Sequence, residues 1–440
     1  MALYHKDSNI STLSNLDLFS LPNTQAAVTK SQIVNFYPVS EISDESPIEF
    51  NVSGSGLEYI SLKDTRLHIK CKILHADNTP IAALTKIGPV NLTLQSLWSQ
   101  VDIFLNQRLV SSASNNYPYK AYIQTLLNFG SDAKLSQLGT QLYYKDTAKH
   151  LDDADPIAGN NSSLLIRAEY FSNSNIVDLI GPIHADVFQT PKLLLNNVDL
   201  RIKLYKSKNE FCLMSSETTP AFKIVITEAV LKINKVTVSP SITLAHAGAL
   251  KLSTAKYPVS KIEVKSVSLA AGSNQVNLDD VWHGQIPSKV IIGFVSSMAF
   301  NGAYSKNPFN FQHYNLNYIA CYVNGESVPA MPLKLKFSGT GINGANYMEA
   351  YQTLFSGTGV LNSDSGTDID RDDYPGGYSL VTFTIDPLAN NPEVWSMKQA
   401  GNLRIEARFN DPLSETVSML IYGEFPYVVE VDEARNVILP

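Results

Sequence analysis

Cysteine is scarce in this 440-residue chain: Cys71, Cys212 and Cys321 lie far apart, with no Cys-x-x-Cys pair. That excludes a disulfide framework or a thiolate zinc site, and leaves three small hydrophobes expected in the interior. Charge is scarce too. Asp, Glu, Lys and Arg are 17% of the residues, the net charge is −7, and Lys and Arg form no block. A protein that neutralises nucleic-acid phosphates needs such blocks, so direct sequence-specific nucleic-acid binding is not expected. No run of about 18 apolar residues occurs, and the N-terminus has no basic region followed by an apolar one. The expectation is a soluble chain, made in the cytosol, with no membrane insertion.

Catalytic signatures are equally thin. The eight histidines are scattered without HExxH, no GxSxG elbow is present, and no cysteine carries a recognisable motif. Gly339, Gly341 and Gly344 form a G-x-G-x-x-G after an alternating segment, but a loop of Gly, Ser and Asp follows where a second apolar strand should stand. Glycines freeing the backbone at both ends of a loop helix explain it as well. No enzyme, catalytic residue or cofactor is expected, and a redox enzyme built on this loop is the weakest alternative.

What is present is apolar material, 44% of the residues, arranged mostly at period two. Leu67–Ile73, Val101–Val110, Val198–Leu204, Phe222–Val236, Ile262–Val267, Tyr378–Ile385, Leu403–Phe409 and Val417–Tyr422 read as half-buried strands separated by turn residues. The fold class is therefore all-β, built from sandwiches. Two helical patterns, Pro118–Phe129 and Asn346–Phe355, share an Ala-Tyr-(Ile)-Gln-Thr-Leu core. Each follows a strand with a polar turn and precedes a long polar loop, and each half later carries a Leu-Arg-Ile strand, at Leu200 and at Leu403. The repeated order implies internal duplication of a domain of about 200 residues. The expected division is an arm over 1–30, a first sandwich over 31–240 and a second over 241–440, with a seam in Val236–Lys256.

Asp364, Asp368, Asp370, Asp372 and Asp373 crowd one loop, matched by Asp152, Asp153 and Asp155 in the first half. Carboxylate clusters can hold hard cations, so Asp364, Asp368 and Asp370 are weak calcium candidates, but exposed decoration is the plainer reading. Aromatics are plentiful, 21 Tyr and 18 Phe. Phe309 and Phe311 stand among Asn and Pro, where a ring either seals the end of a sandwich or anchors a partner.

In Leu57–Ile73, Val90–Asn106, Tyr117–Tyr122, Leu420–Phe425 and Val429–Ile438 the sequence resembles the major capsid protein, or hexon, of Polinton/Maverick elements and adintoviruses. Between about 240 and 330 only the order of elements matches. The resemblance implies two tandem jelly rolls standing upright in an icosahedral shell. It further implies a homotrimer forming a pseudo-hexagonal capsomer that contacts neighbouring capsomers, pentons and minor capsid proteins, with the virion as its location. No catalytic or cofactor residue comes with it. Tyr122, Leu126, Tyr351, Leu354, Phe309 and Phe311 are then expected as interface residues, the helices lying at the capsomer top or its trimer seams, with capping of each sandwich as the competing role. The arm reaches a neighbour, or is a frayed tail. A carbohydrate-binding β-sandwich and a penton-like vertex protein remain alternatives.

Overall fold

The computed structural model describes residues 5–9, 11–44, 46–111, 114–338, 344–391 and 394–440. Gly339 and Gly341 of the glycine motif, and residues 1–4 and 10 of the expected arm, lie outside them.

The first half holds β1 (Val28–Phe36), β2 (Ile48–Val52), β3 (Glu58–His75), β4 (Trp98–Leu105), β5 (Arg108–Leu109), β6 (Val177–Gly181), β7 (Leu200–Lys206) and β8 (Phe222–Val238). The second holds β9 (Ala255–Leu269), β10 (Gln275–Leu278), β11 (Lys289–Ser296), β12 (Leu316–Val323), β13 (Glu326–Lys334), β14 (Val381–Thr384), β15 (Leu403–Phe409) and β16 (Val417–Val431). One sheet of the first half runs β1-β8-β3-β6 and the other β2-β7-β4-β5; the second half runs β9-β16-β11-β14 and β10-β15-β12-β13. Every neighbouring pair is antiparallel. Adding eight to each label of the first half gives the second, and the order is that of a jelly roll. The fold is two tandem jelly-roll sandwiches in one chain.

Local chemistry explains the strands. In β3, Leu67, Ile69, Cys71 and Ile73 are buried while His68, Lys70 and Lys72 alternate with them on a wetter face. That is the period expected of a strand with one face on a core. All three cysteines are buried free thiols, and burial pushes the Cys71 and Cys212 thiols up to about 12. The two strand-with-turn segments are β-hairpins. Asn106 and Gln107 turn β4 into β5 with φ of 43° and 67°, and Asn324 and Gly325 turn β12 into β13 with φ of 52° and 92°. Two consecutive left-handed residues match the strand twist, and Asn and Gly tolerate that conformation best.

Both halves put a long insertion between the fifth strand and the sixth. The first carries α1 (Tyr117–Asn128) and α2 (Ser162–Tyr170), the second α4 (Met348–Thr358). Between the sandwiches, the Ala/Gly-rich stretch within the expected seam forms a helix, α3 (Pro240–Leu250). Ser239 followed by Pro240 is a helix start, with proline at the first turn where its missing N–H costs nothing. Among the described residues no helix is long and apolar enough to cross a membrane.

Candidate functional site

The residues singled out in the sequence converge at the junction of the two sandwiches. Every residue of α1 except Asn128 is buried. Its Tyr122 ring stacks on Phe309 of the second half at 4.1 Å between centroids and 2° between planes, with Phe311 at 6.2 Å. Tyr119 meets Phe309 edge-on at 5.8 Å and stacks on Phe300 at 5.6 Å. Tyr122, Leu126, Phe309, Phe311 and Leu354 are thus enclosed within one chain, and the contact they were expected to make between chains is made between halves. Sequence shows which side chains are apolar, not what covers them. Tyr351 is half-buried; its hydroxyl donates to the Ile369 carbonyl at 2.8 Å and its ring lies edge-on to Phe355 and Tyr374.

A buried polar core lies beside this aromatic stack. Arg167 of α2 and Asp146 are both fully buried and pair at 2.7 Å. The guanidinium also donates to the carbonyls of Pro89 at 2.9 Å and Tyr144 at 2.8 Å. The carboxylate further accepts the amides of Asn161 at 3.0 Å and of Asn307, from the second half, at 3.1 Å. Tyr378, also from the second half, donates to the Asp146 carbonyl at 2.6 Å. A buried ion pair repays its desolvation only when its remaining donors and acceptors are met, as they are here. No local pattern signals it: α2 begins where the long polar loop ends, in a stretch read as neither helix nor strand, and Arg167 and Asp146 belong to no motif.

Further ties cross the junction. Lys145 reaches Asp373 at 2.6 Å and the Asp368 carbonyl, and Lys306 pairs with Asp152 at 3.0 Å. Lys134 is buried and, among the described residues, forms no ion pair, although the Asp368 charge acts on it; its ammonium donates to the carbonyls of Leu126 at 2.8 Å and of Thr367. Burial, which disfavours the charged form, pushes its pKa down to about 7. Lys120 and Asp186 form a second buried pair at 2.6 Å, where burial raises the Asp186 pKa although Lys120 opposes it.

These contacts revise the reading of the acidic loops as exposed decoration. Asp373 and Asp152 are structural partners across the halves, Asp155 pairs with Lys86 at 2.6 Å, and Asp370 accepts the amides of Asp372 and Asp373 at 2.8 and 2.7 Å. Asp364 is exposed. Asp364, Asp368 and Asp370 are not drawn together around a common point: among the described residues no group of three or more His, Cys, Asp or Glu is placed to hold a metal.

Apolar surface is concentrated at the start of the chain. Leu13, Leu16, Leu18, Phe19 and Leu21 are 63–97% exposed. They lead into β1, an edge strand whose outer margin has no partner strand among the described residues and whose Ile33 is exposed, with exposed Tyr37 and Val39 just beyond it. Such an edge is a template for another chain unless covered.

No family model matches the chain. A full-length relative in Caenorhabditis elegans, an uncharacterized protein, is 22% identical over 431 residues, covering 95% of this chain and 99% of its own. Among solved structures, a chain of the Sputnik virophage superimposes with a TM-score of 0.66 at 11% identity, covering 99% of this chain and 93% of that one. The mavirus major capsid protein gives 0.54 at 12% identity over 100% and 96% of the two chains, and the Faustovirus major capsid protein 0.54 at 8% over 97% and 93%. At such identities what is shared is the fold, carried over nearly the whole length of each chain: the double jelly roll of viral major capsid proteins.

Proposed function

We propose that the chain is a major capsid protein, three copies of which form a pseudo-hexagonal capsomer of an icosahedral shell. The observation that carries this reading is the repetition of one eight-strand order in two halves clamped to each other. A trimer of such chains offers six similar sandwiches at nearly equal spacing and can occupy a position of six-fold surroundings with three-fold symmetry. A single sandwich cannot do this, which favours a lattice position over a five-fold vertex. The two building units are the sandwiches of β1–β8 and β9–β16, joined through α3, and the residues before β1 are the arm, which thus ends before Val28 where residue 30 was expected. The buried junction fixes the angle between units, as a tile requires, and no preorganised pocket chemistry is needed.

Partners follow from the surface. The arm and the β1 edge contact a neighbouring copy or a minor capsid protein, and the flanks contact neighbouring capsomers and pentons. Subunit contacts of this class bury on the order of 2,000 Å² or more. The site of action is the virion, after synthesis in the host cytoplasm. The Polinton/Maverick and adintovirus lineage is supported by the sequence stretches that resemble it.

Light scattering on a sizing column tests the association. A particle of three times the chain mass, holding its mass on tenfold dilution, is expected; a monomer at micromolar concentration overturns the trimer.

A further inference from the structure

We propose that an open cleft at one end of the second sandwich, roofed by the first, binds a short neutral glycan. Its volume is about 560 Å³, within the range of small-ligand sites. The second half supplies Asn310, Gln312 and His313 from the β11–β12 loop and Asp411 from the β15–β16 loop; the first half supplies Lys149. Asp152 of the first half borders it as well, so both halves shape the cleft.

Asp152, Asp411 and Asn315 are engaged within the wall, through Lys306, Asn307, Asn410 and each other, but other polar groups facing the cleft are unspent. The Asn310 and Gln312 side-chain amides and the Lys149 ammonium have no partner among the described residues, although Asn310 and Gln312 are half-buried. His313 accepts the Asn315 amide on Nδ1 at 3.0 Å, so in its neutral form Nε2 carries the proton. The ring stacks on Phe337 at 4.1 Å, and burial pushes its pKa down to about 4, which keeps it a neutral donor. Lys149, Tyr314 and Asn315 sit at φ of 68°, 45° and 52°. L-residues adopt that conformation rarely, and it clusters where a loop is held in shape for a ligand.

The chemistry selects the ligand. Two carboxamides, each a donor and an acceptor in one plane, match vicinal hydroxyls that both donate and accept. A phosphate or sulfate would call for a cluster of Arg and Lys; here, among the described residues, Lys149 is the one Lys or Arg in the lining, beside the carboxylates of Asp152 and Asp411. An apolar ligand finds too many unmet amides.

The test is a glycan array probed with the labelled full chain, together with Asn310→Ala/Gln312→Ala. Retention of a restricted set of neutral glycans, lost at least tenfold in the double variant while its melting temperature and particle mass stay unchanged, is expected. Retention of no glycan, retention of acidic glycans alone that disappears in 0.5 M salt, or equal retention by the double variant overturns the proposal. Particle mass is read separately, so failure here is distinguishable from failure of the capsomer.

Discussion

Asn106 and Asn324 do the same work in the two halves. Each sits first in a hairpin turn, and each side-chain oxygen accepts the backbone amide of the residue just before the seventh strand of its sandwich: Asp199 at 2.7 Å, Asn402 at 2.9 Å. Each backbone N–H returns the bond, at 3.0 and 2.9 Å. The clamped residues correspond as well. The Asp199 carboxylate accepts the Gly54 amide at 2.9 Å and the Asn402 side chain the Asp280 amide at 3.2 Å, both from the loop between second and third strands. Two residues further on, Arg201 lies over the Phe104 ring at 4.4 Å and Arg404 over Tyr322 at 5.2 Å. Correspondence at this level, side chain by side chain, is what duplication of one sandwich leaves behind.

Asn106→Ala and Asn324→Ala should each lower stability by about 1–3 kcal/mol, from lost hydrogen bonds and a left-handed alanine. Asn106 also donates to the Arg435 carbonyl at 2.7 Å, so its variant should fall at the upper end. Urea unfolding measures both; a difference in the opposite sense would break the correspondence.

Arg167→Met leaves the Asp146 carboxylate buried with amide donors only. A loss of about 3–5 kcal/mol is expected, and Arg167→Met/Asp146→Leu should recover part of it. A single variant that melts like the parent would show that the pair does not hold the junction.

Lys134 ties stability to pH. Its folded pKa of about 7 lies below the roughly 10.4 of an unfolded lysine. Between those values the unfolded chain holds the extra proton, so this residue makes stability rise as pH climbs from about 7 to about 10 and adds no slope below 7. Lys134→Met should flatten the parent's rise by about 2–4 kcal/mol across that window. Unfolding curves of both proteins at pH 7 and 10 decide it, and parallel profiles would contradict the burial of an unpaired ammonium.

Tyr122 and Phe19 separate folding from association. Tyr122→Asp places a charge inside the aromatic stack and should unfold or aggregate the chain. Phe19→Ser with Leu21→Ser alters only exposed arm residues and should leave the melting temperature within about 1 °C while weakening association on dilution. An arm variant that associates as tightly as the parent would remove the arm from the contact.

Much of this was legible in sequence where one segment decides its own structure. Period-two strands, the helices α1 and α4, the hairpin turns and the repeated element order all follow from local pattern. What escaped depends on partners distant in sequence. Tyr122 reads as an exposed anchor until Phe309 is placed against it, and Arg167 is one arginine in a short helix until Asp146 and Asn307 close around it. The acidic loop at Asp368–Asp373 looks like decoration because nothing local reveals Lys145. The α3 helix was signalled by Ser239-Pro240, but its Ala/Gly-rich body lacks the amphipathic stripe that usually marks a helix.

Negative-stain class averages of the purified chain, viewed down the symmetry axis, test the central claim most directly. Three copies of a two-sandwich chain predict six lobes around one centre with three-fold symmetry. Isolated two-lobed particles, or a five-membered ring, would contradict it.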